Sequence, residues 1–210
     1  MDMYELIKNR PLLGILRNVP LDQTLDWAEA AITGGADYFE VALNSPDALK
    51  QITLLRTHFA DRCLVGAGTA ITRERCRAAV DAGAQFLLTP GTPDEVYEFC
   101  AANGIKLLPG VLTPTDVAVA LSYGCRTMKL FPAGSMPLHY IKDLKGPFDG
   151  THYMAIGGVN PDNIADFFKA GYCAVGLASS LMPKDRAACG DWQACSEYVR
   201  MLVEKIKSVH

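Results

Sequence analysis

Short apolar runs rich in β-branched and aromatic residues recur along the chain at intervals of roughly 20 to 26 residues, a spacing that leaves room for one helix between successive runs. The pattern predicts eight strands, at 12–17, 38–44, 63–69, 86–90, 106–111, 127–132, 152–159 and 174–179, each followed by a helix. The helix starts are punctuated by a capping residue and a proline at Ser45-Pro46, Thr92-Pro93, Thr113-Pro114 and Asn160-Pro161. Such a cap side chain accepts an otherwise unpaired N–H, and proline tolerates the first helical position because its missing N–H has no partner there. Helix ends are expected at Gly34, Gly83, Gly104, Gly124 and Gly171, where a left-handed residue stops the helix.

Eight β/α repeats in 210 residues predict a (β/α)8 TIM barrel, with an open, doubly wound sheet as the rival. A dinucleotide-type open sheet wants G-x-G-x-x-G after its first strand, and Gly14-Ile15-Leu16-Arg17-Asn18 has nothing of the kind. Ahead of the first strand, residues 3–8 read as a short helix covering the barrel floor. No linker, low-complexity tract or shift in composition interrupts the alternation, so residues 1–210 are read as one domain.

Composition narrows the chemistry. Half the residues are hydrophobic, enough for a substantial core, and a net charge of −3 without a basic run argues against nucleic acid or an anionic membrane as partner. The amino terminus lacks the basic-then-apolar layout of a signal peptide, and no apolar stretch approaches 18 residues, so a cytoplasmic protein is expected. The seven cysteines include no C-x-x-C pair and read as reduced packing residues. Of the four histidines only His152 falls in a predicted strand, at the amino-terminal end, the wrong face of a barrel for a catalytic metal; no metal is expected.

One lysine breaks the apolar pattern. Alternation along the sixth strand puts Thr127, Lys129 and Phe131 on one face and Met128 and Leu130 on the other; the second pair suits the helix layer, so Lys129 points into the barrel. On the second strand Phe39, Val41 and Leu43 face the helices, and Glu40, Ala42 and Asn44 point inward. Both strands are even-numbered, and a barrel layer is built from alternate strands, so acid and amine can share one level. A buried structural ion pair is one reading. Schiff-base catalysis is the other: with a pKa near 10.4 only about one lysine in a few thousand is neutral at pH 7, and burial lowers that pKa by as much as about 3, on the order of 4 kcal/mol. Glu40, the inward carboxylate among the strand centres, is then the candidate general acid/base.

Gly157-Gly158-Val159-Asn160 at the end of strand seven and Gly176-Leu177-Ala178-Ser179-Ser180 at the end of strand eight stand where barrels often bind phosphate through closely approaching N–H groups. Arg17, at the carboxyl end of the first strand, can hold a carboxylate bidentately or be an ordinary surface arginine.

Together, Phe39-Glu40-Val41-Ala42-Leu43-Asn44-Ser45, Gly66-Ala67-Gly68-Thr69, Thr89-Pro90-Gly91, Leu108-Pro109-Gly110, Met128-Lys129-Leu130-Phe131-Pro132 and Ile156-Gly157-Gly158-Val159 resemble, in that order and over nearly the whole chain, the 2-keto-3-deoxy-6-phosphogluconate and 2-keto-3-deoxy-6-phosphogalactonate aldolases. The resemblance implies Lys129 as the Schiff-base lysine and Glu40 as the proton carrier. It implies Thr69, Pro90 and Phe131 in the pyruvate pocket, Gly157, Gly158 and Ser179 at the phosphate, and Arg17 near the substrate carboxylate. It further implies a homotrimer without metal or organic cofactor, cleaving a phosphorylated keto-deoxy sugar acid to pyruvate and glyceraldehyde 3-phosphate. Leu43-Asn44-Ser45-Pro46, Leu16-Arg17 and Ile156 look like the galactonate branch; the gluconate branch usually carries threonine at the Ile156 position. The same chemistry on the gluconate epimer or on 4-hydroxy-2-oxoglutarate is the near alternative. A phosphosugar-binding barrel without turnover, or an isomerase or epimerase that makes no imine, is more distant. Ala178 departs from the family, which often has glycine there.

Overall fold

The computed structural model describes residues 2–209 and sets the predicted repeats in a nearly closed parallel barrel. In chain order the elements are α1 (Tyr4–Ile7), β1 (Leu12–Leu16), α2 (Thr24–Gly34), β2 (Tyr38–Ala42), α3 (Ala48–Phe59), β3 (Leu64–Gly68) and α4 (Arg73–Asp81), then β4 (Phe86–Leu88), α5 (Asp94–Asn103), β5 (Lys106–Leu108), β6 (Gly110–Val111) and α6 (Pro114–Ser122). They continue with β7 (Thr127–Leu130), α7 (Tyr140–Lys145), β8 (His152–Ile156), α8 (Ile164–Ala170), β9 (Ala174–Leu177), α9 (Lys184–Ala188) and α10 (Trp192–Lys207).

The sheet order β5-β4-β3-β2-β1-β9-β8-β7-β6 is that of a barrel and excludes the doubly wound alternative. Its two ends, β5 and β6, are halves of the single strand predicted at 106–111. Pro109 divides them because it has no N–H for the ladder. Its carbonyl still accepts from the Lys129 N–H at 2.8 Å, which carries the pairing across the break.

Two apolar layers follow from the strand alternation. Leu13, Ile15, Tyr38, Phe86, Leu88, Leu108, Met154 and Ile156 fill the barrel interior, while Phe39, Val41, Met128 and Leu130 pack outward against the helices. The helix expected at 3–8 forms as α1, and Met3 and Ile7 bury into the interior cluster to make the floor. Asp2 fastens it there, its carboxylate accepting from the N–H groups of Arg126 at 3.1 Å and Thr127 at 2.8 Å.

The helix punctuation holds in part. Thr113 caps α6 with a reciprocal capping box to Asp116, with Pro114 in the first turn. Gly83, Gly104, Gly124 and Gly171 take positive φ near helix ends. Gly34 does not: the left-handed residue is Gly35, at φ +98°, and Gly34 ends α2 where a Cβ would come within 2.5 Å of Val199 on α10. Ser45 is no cap either, since α3 starts at Ala48 and the Ser45 hydroxyl accepts from the Asn18 N–H at 3.0 Å. Thr92 lies one residue too early, with Pro93 in the cap position of α5. Asn160 accepts from the N–H groups of Asp162 and Asn163 in a turn ahead of α8. Ser45 and Asn160 thus serve loops rather than helices.

All seven cysteines are free, and Cys63, Cys76, Cys100, Cys125 and Cys195 are buried. Among the described residues no helix is long and apolar enough to cross a membrane.

Candidate active site

The predicted strands overrun the observed ones at their carboxyl ends, and the surplus residues build the site. Arg17 follows β1, Asn44 follows β2, Thr69 follows β3, Pro90 follows β4, Phe131 follows β7, Gly157 and Gly158 follow β8, and Ser179 follows β9. With Glu40, Lys129 and Ile156 from within the strands, all ten residues expected from the sequence line one cavity of about 440 Å³.

Lys129 and Glu40 both point into this cavity and are nearly sealed from solvent, at 5% and 1% exposure. Neighbouring strands hold them in register: Lys129 lies beside Gly110 and Met154, and Glu40 beside Ile15 and Gly66. Among the described residues the Lys129 amine forms no hydrogen bond and no ion pair within 4.0 Å; it sits 4.7 Å from the centroid of the Phe131 ring. One Glu40 carboxylate oxygen, Oε2, is buried without a hydrogen-bond partner.

Burial dominates the electrostatics of both groups. It lowers the Lys129 pKa from 10.5, with Arg17 adding to the shift and Glu40 opposing it. It raises the Glu40 pKa above 4.5 against the attraction of Lys129 and Arg17. A lowered amine and a raised carboxyl are the states that nucleophilic attack and proton donation need near neutral pH.

The rim is a polar arc. Arg17 Nη1 donates to Asn44 Oδ1 at 3.1 Å, and the Thr69 hydroxyl donates to the same oxygen at 3.3 Å. Asn44 thus aims the guanidinium and the hydroxyl over one mouth. On the far side Gly157 and Gly158 take φ of +87° and +79°, conformations that favour glycine. The Gly157 carbonyl accepts from the Gly134 N–H at 2.7 Å, and a Cβ on Gly158 would stand 2.8 Å from the Gly134 Cα, so the loop is packed backbone to backbone. Gly176, Ala178 and Ser180 complete this end of the cavity.

Ile15, Asn44, Val159, Gly176, Ala178 and Ser180 also line the cavity; Val159, Gly176, Ala178 and Ser180 belong to the two turns read from the sequence as phosphate-binding, while Ile15 and Asn44 have no assigned role there. Alternation back from Arg17 marks Ile15, and Asn44 belongs to the inward set of the second strand, so these two are legible there. Among the described residues no group of three or more His, Cys, Asp or Glu is placed to hold a metal ion. His152 lies against α1, its ring stacked on Tyr4 at 4.0 Å.

With this geometry in place, comparison with known proteins is specific. Residues 3–198 match the family model described as KDPG and KHG aldolase. The chain is 33% identical over 199 residues to the 2-dehydro-3-deoxy-6-phosphogalactonate aldolase of Escherichia coli (strain K12), covering 94% of this chain and 97% of that one. A solved structure of KDPG aldolase from Legionella pneumophila, with pyruvate captured at low pH as a covalent carbinolamine intermediate, superposes with a TM-score of 0.86 at 29% identity, over 94% of this chain and 96% of that one. A native KDPGal structure superposes with a TM-score of 0.83 at 32% identity, over 94% and 96%.

Proposed function

The chain belongs to the KDPG and KHG aldolase family, and from that premise we propose that it is a class I aldolase cleaving 2-dehydro-3-deoxy-6-phospho-D-galactonate to pyruvate and D-glyceraldehyde 3-phosphate, with Lys129 as nucleophile and Glu40 as proton carrier. The observation that carries the reading is the unpaired, desolvated Lys129 amine sharing a cavity with a carboxyl held above its usual range.

The neutral amine adds to the C2 ketone, and protonation of the resulting hydroxyl by Glu40 expels water to leave the iminium. Removal of the C4 hydroxyl proton then breaks the C3–C4 bond; its electrons pass into the iminium, releasing the aldehyde and leaving an enamine. Protonation of the enamine at C3 and hydrolysis free pyruvate and restore Lys129. Arg17 is suited to the substrate carboxylate as a charged, bidentate donor, and the paired glycines with Ser179 to the phosphate. Thr69, Pro90 and Phe131 wall the pyruvate half of the cavity. A homotrimer in the cytoplasm, using no metal or organic cofactor, completes the proposal.

Borohydride with pyruvate tests the chemistry. Mass spectrometry is expected to find reduced pyruvate on the peptide carrying Lys129, and its absence from active, folded protein would remove the imine mechanism.

Epimer preference rests on Ile156, a buried aliphatic wall that cannot hydrogen-bond a substrate hydroxyl. Ile156→Thr supplies that partner, and one hydrogen bond to a buried hydroxyl is worth about 1 to 3 kcal/mol of discrimination. The variant is therefore expected to shift the ratio of kcat/KM values toward the gluconate epimer by about 5- to 150-fold. Steady-state kinetics on both epimers and on 4-hydroxy-2-oxoglutarate decide it; an unchanged ratio would leave Ile156 outside the specificity determinants.

A further inference from the structure

We propose that Gly68 is a positioning residue for this reaction: the space its missing side chain leaves is the seat of the Glu40 carboxylate, and the seat keeps that carboxylate from closing onto Lys129. The inference rests on the roles proposed for those two residues.

β3 runs beside β2 with Gly66 opposite Glu40 and Gly68 opposite Ala42, so Gly68 lies diagonally one step toward the mouth of the barrel from Glu40. A Cβ built on Gly68 would lie 1.6 Å from Glu40 Oε1, 2.2 Å from Cδ and 2.7 Å from Cγ. All three nearest atoms belong to Glu40, so it is the glutamate that demands glycine here. Gly66 differs: its added Cβ would strike the Phe86 ring at 2.2 Å, a matter of core packing.

Glu40 is buried and its Oε2 has no hydrogen-bond partner, so the pocket above Gly68 holds the carboxylate by shape. A side chain at position 68 would drive it out of that pocket. The space left to it is the cavity it shares with Lys129 from β7 and Arg17 after β1, the two charged groups that act on it; Tyr38, on its own strand, is a further titratable group near it, its hydroxyl pKa raised by burial and by the Glu40 charge. A carboxylate moved into that space closes on the Lys129 amine and the Arg17 guanidinium. Within ion-pair reach of Lys129 it stabilises the ammonium form and removes the free amine that attacks the ketone. The seat thus serves chemistry by separating two groups that would otherwise neutralise each other.

The test compares wild type, Gly68→Ala, Glu40→Ala and the double variant by steady-state kinetics and by the pH dependence of borohydride-trapped pyruvate adduct. Gly68→Ala is expected to lower kcat about 100-fold at neutral pH with KM within about 3-fold, and to move adduct formation about one pH unit higher. In the Glu40→Ala background the same substitution is expected to change adduct formation by less than about 3-fold, because the clash is gone. Equal losses in both backgrounds, or a Gly68→Ala enzyme with wild-type kcat and pH profile, would overturn the proposal. If Gly68→Ala does not fold, a folded double variant supports the seat, and a double variant that also fails shows that the methyl collides with something other than Glu40 and overturns it. Absence of any adduct on wild type overturns the functional reading itself, which separates the two failures.

Discussion

Lys129→Met is expected to lower kcat/KM for aldol cleavage by at least about 10,000-fold and to abolish the borohydride-trapped pyruvate adduct, since losing a covalent nucleophile removes the pathway rather than one contact on it. The methionine keeps the length and the apolar stem of the side chain, so the loss reports the amine and not a cavity. Stability moves the other way. Burial lowers the Lys129 pKa more than Glu40 raises it, so the folded state binds its proton less readily than the unfolded chain does. The stability associated with this residue is fully present above 10.5 and is lost as pH falls through the lower, folded value, leaving a net cost at neutral pH. The inactive variant is therefore expected to melt at or above the wild-type temperature at pH 7, as for other active-site groups held against their solvation preference. A methionine variant that retained turnover would end the assignment of Lys129.

Glu40→Gln carries the second large effect. Positioned general acid/base groups contribute about 100- to 10,000-fold, and a fall in kcat of that size is expected with KM changed by less than about 5-fold. The amide preserves shape and fills the space beside Gly68, so its loss is one of proton transfer. Adduct formation with pyruvate is expected to slow but persist, because Lys129 remains. The pH profiles separate the two residues. Wild-type activity rises as Lys129 loses its proton at a pH below 10.5, and falls on the alkaline side where Glu40, its pKa raised above 4.5 by burial, can no longer donate. Glu40→Gln is expected to remove its own limb and to lower the Lys129 limb further, since the carboxylate that favours the ammonium is gone. A profile identical to wild type in both limbs would show that Glu40 does not carry the proton.

Much of this site is legible in the amino-acid sequence. The charge at Lys129 stands out because its neighbours on the strand are apolar, and period-two alternation then fixes its direction; the same step finds Glu40. The Gly157-Gly158 pair after β8 and the turn that follows Gly176 at the end of β9 stand out by place in the repeat as the end proposed for phosphate. Less legible are features that depend on who packs against whom. Ser45 and Thr92 satisfy the cap-plus-proline pattern, yet the hydroxyl of Ser45 serves the loop after β1, because a hydroxyl bonds whatever donor the fold brings near. Gly34 reads as a helix stop, but its lack of a side chain is needed by Val199, which is distant in sequence. The break at Pro109 is invisible as a break, since both halves belong to one apolar run and only barrel closure assigns them to opposite ends of the hydrogen-bond order.

The repeat, the barrel and the set of side chains that enter its interior can be read from the order of residues alone, because they follow from local periodicity and the handedness of the chain. Tertiary structure decided how the two charged groups stand toward each other. Whether a buried lysine and glutamate pair or stay apart depends on the space beside each, and that space is set by a glycine on a third strand and by the closure of the barrel around them.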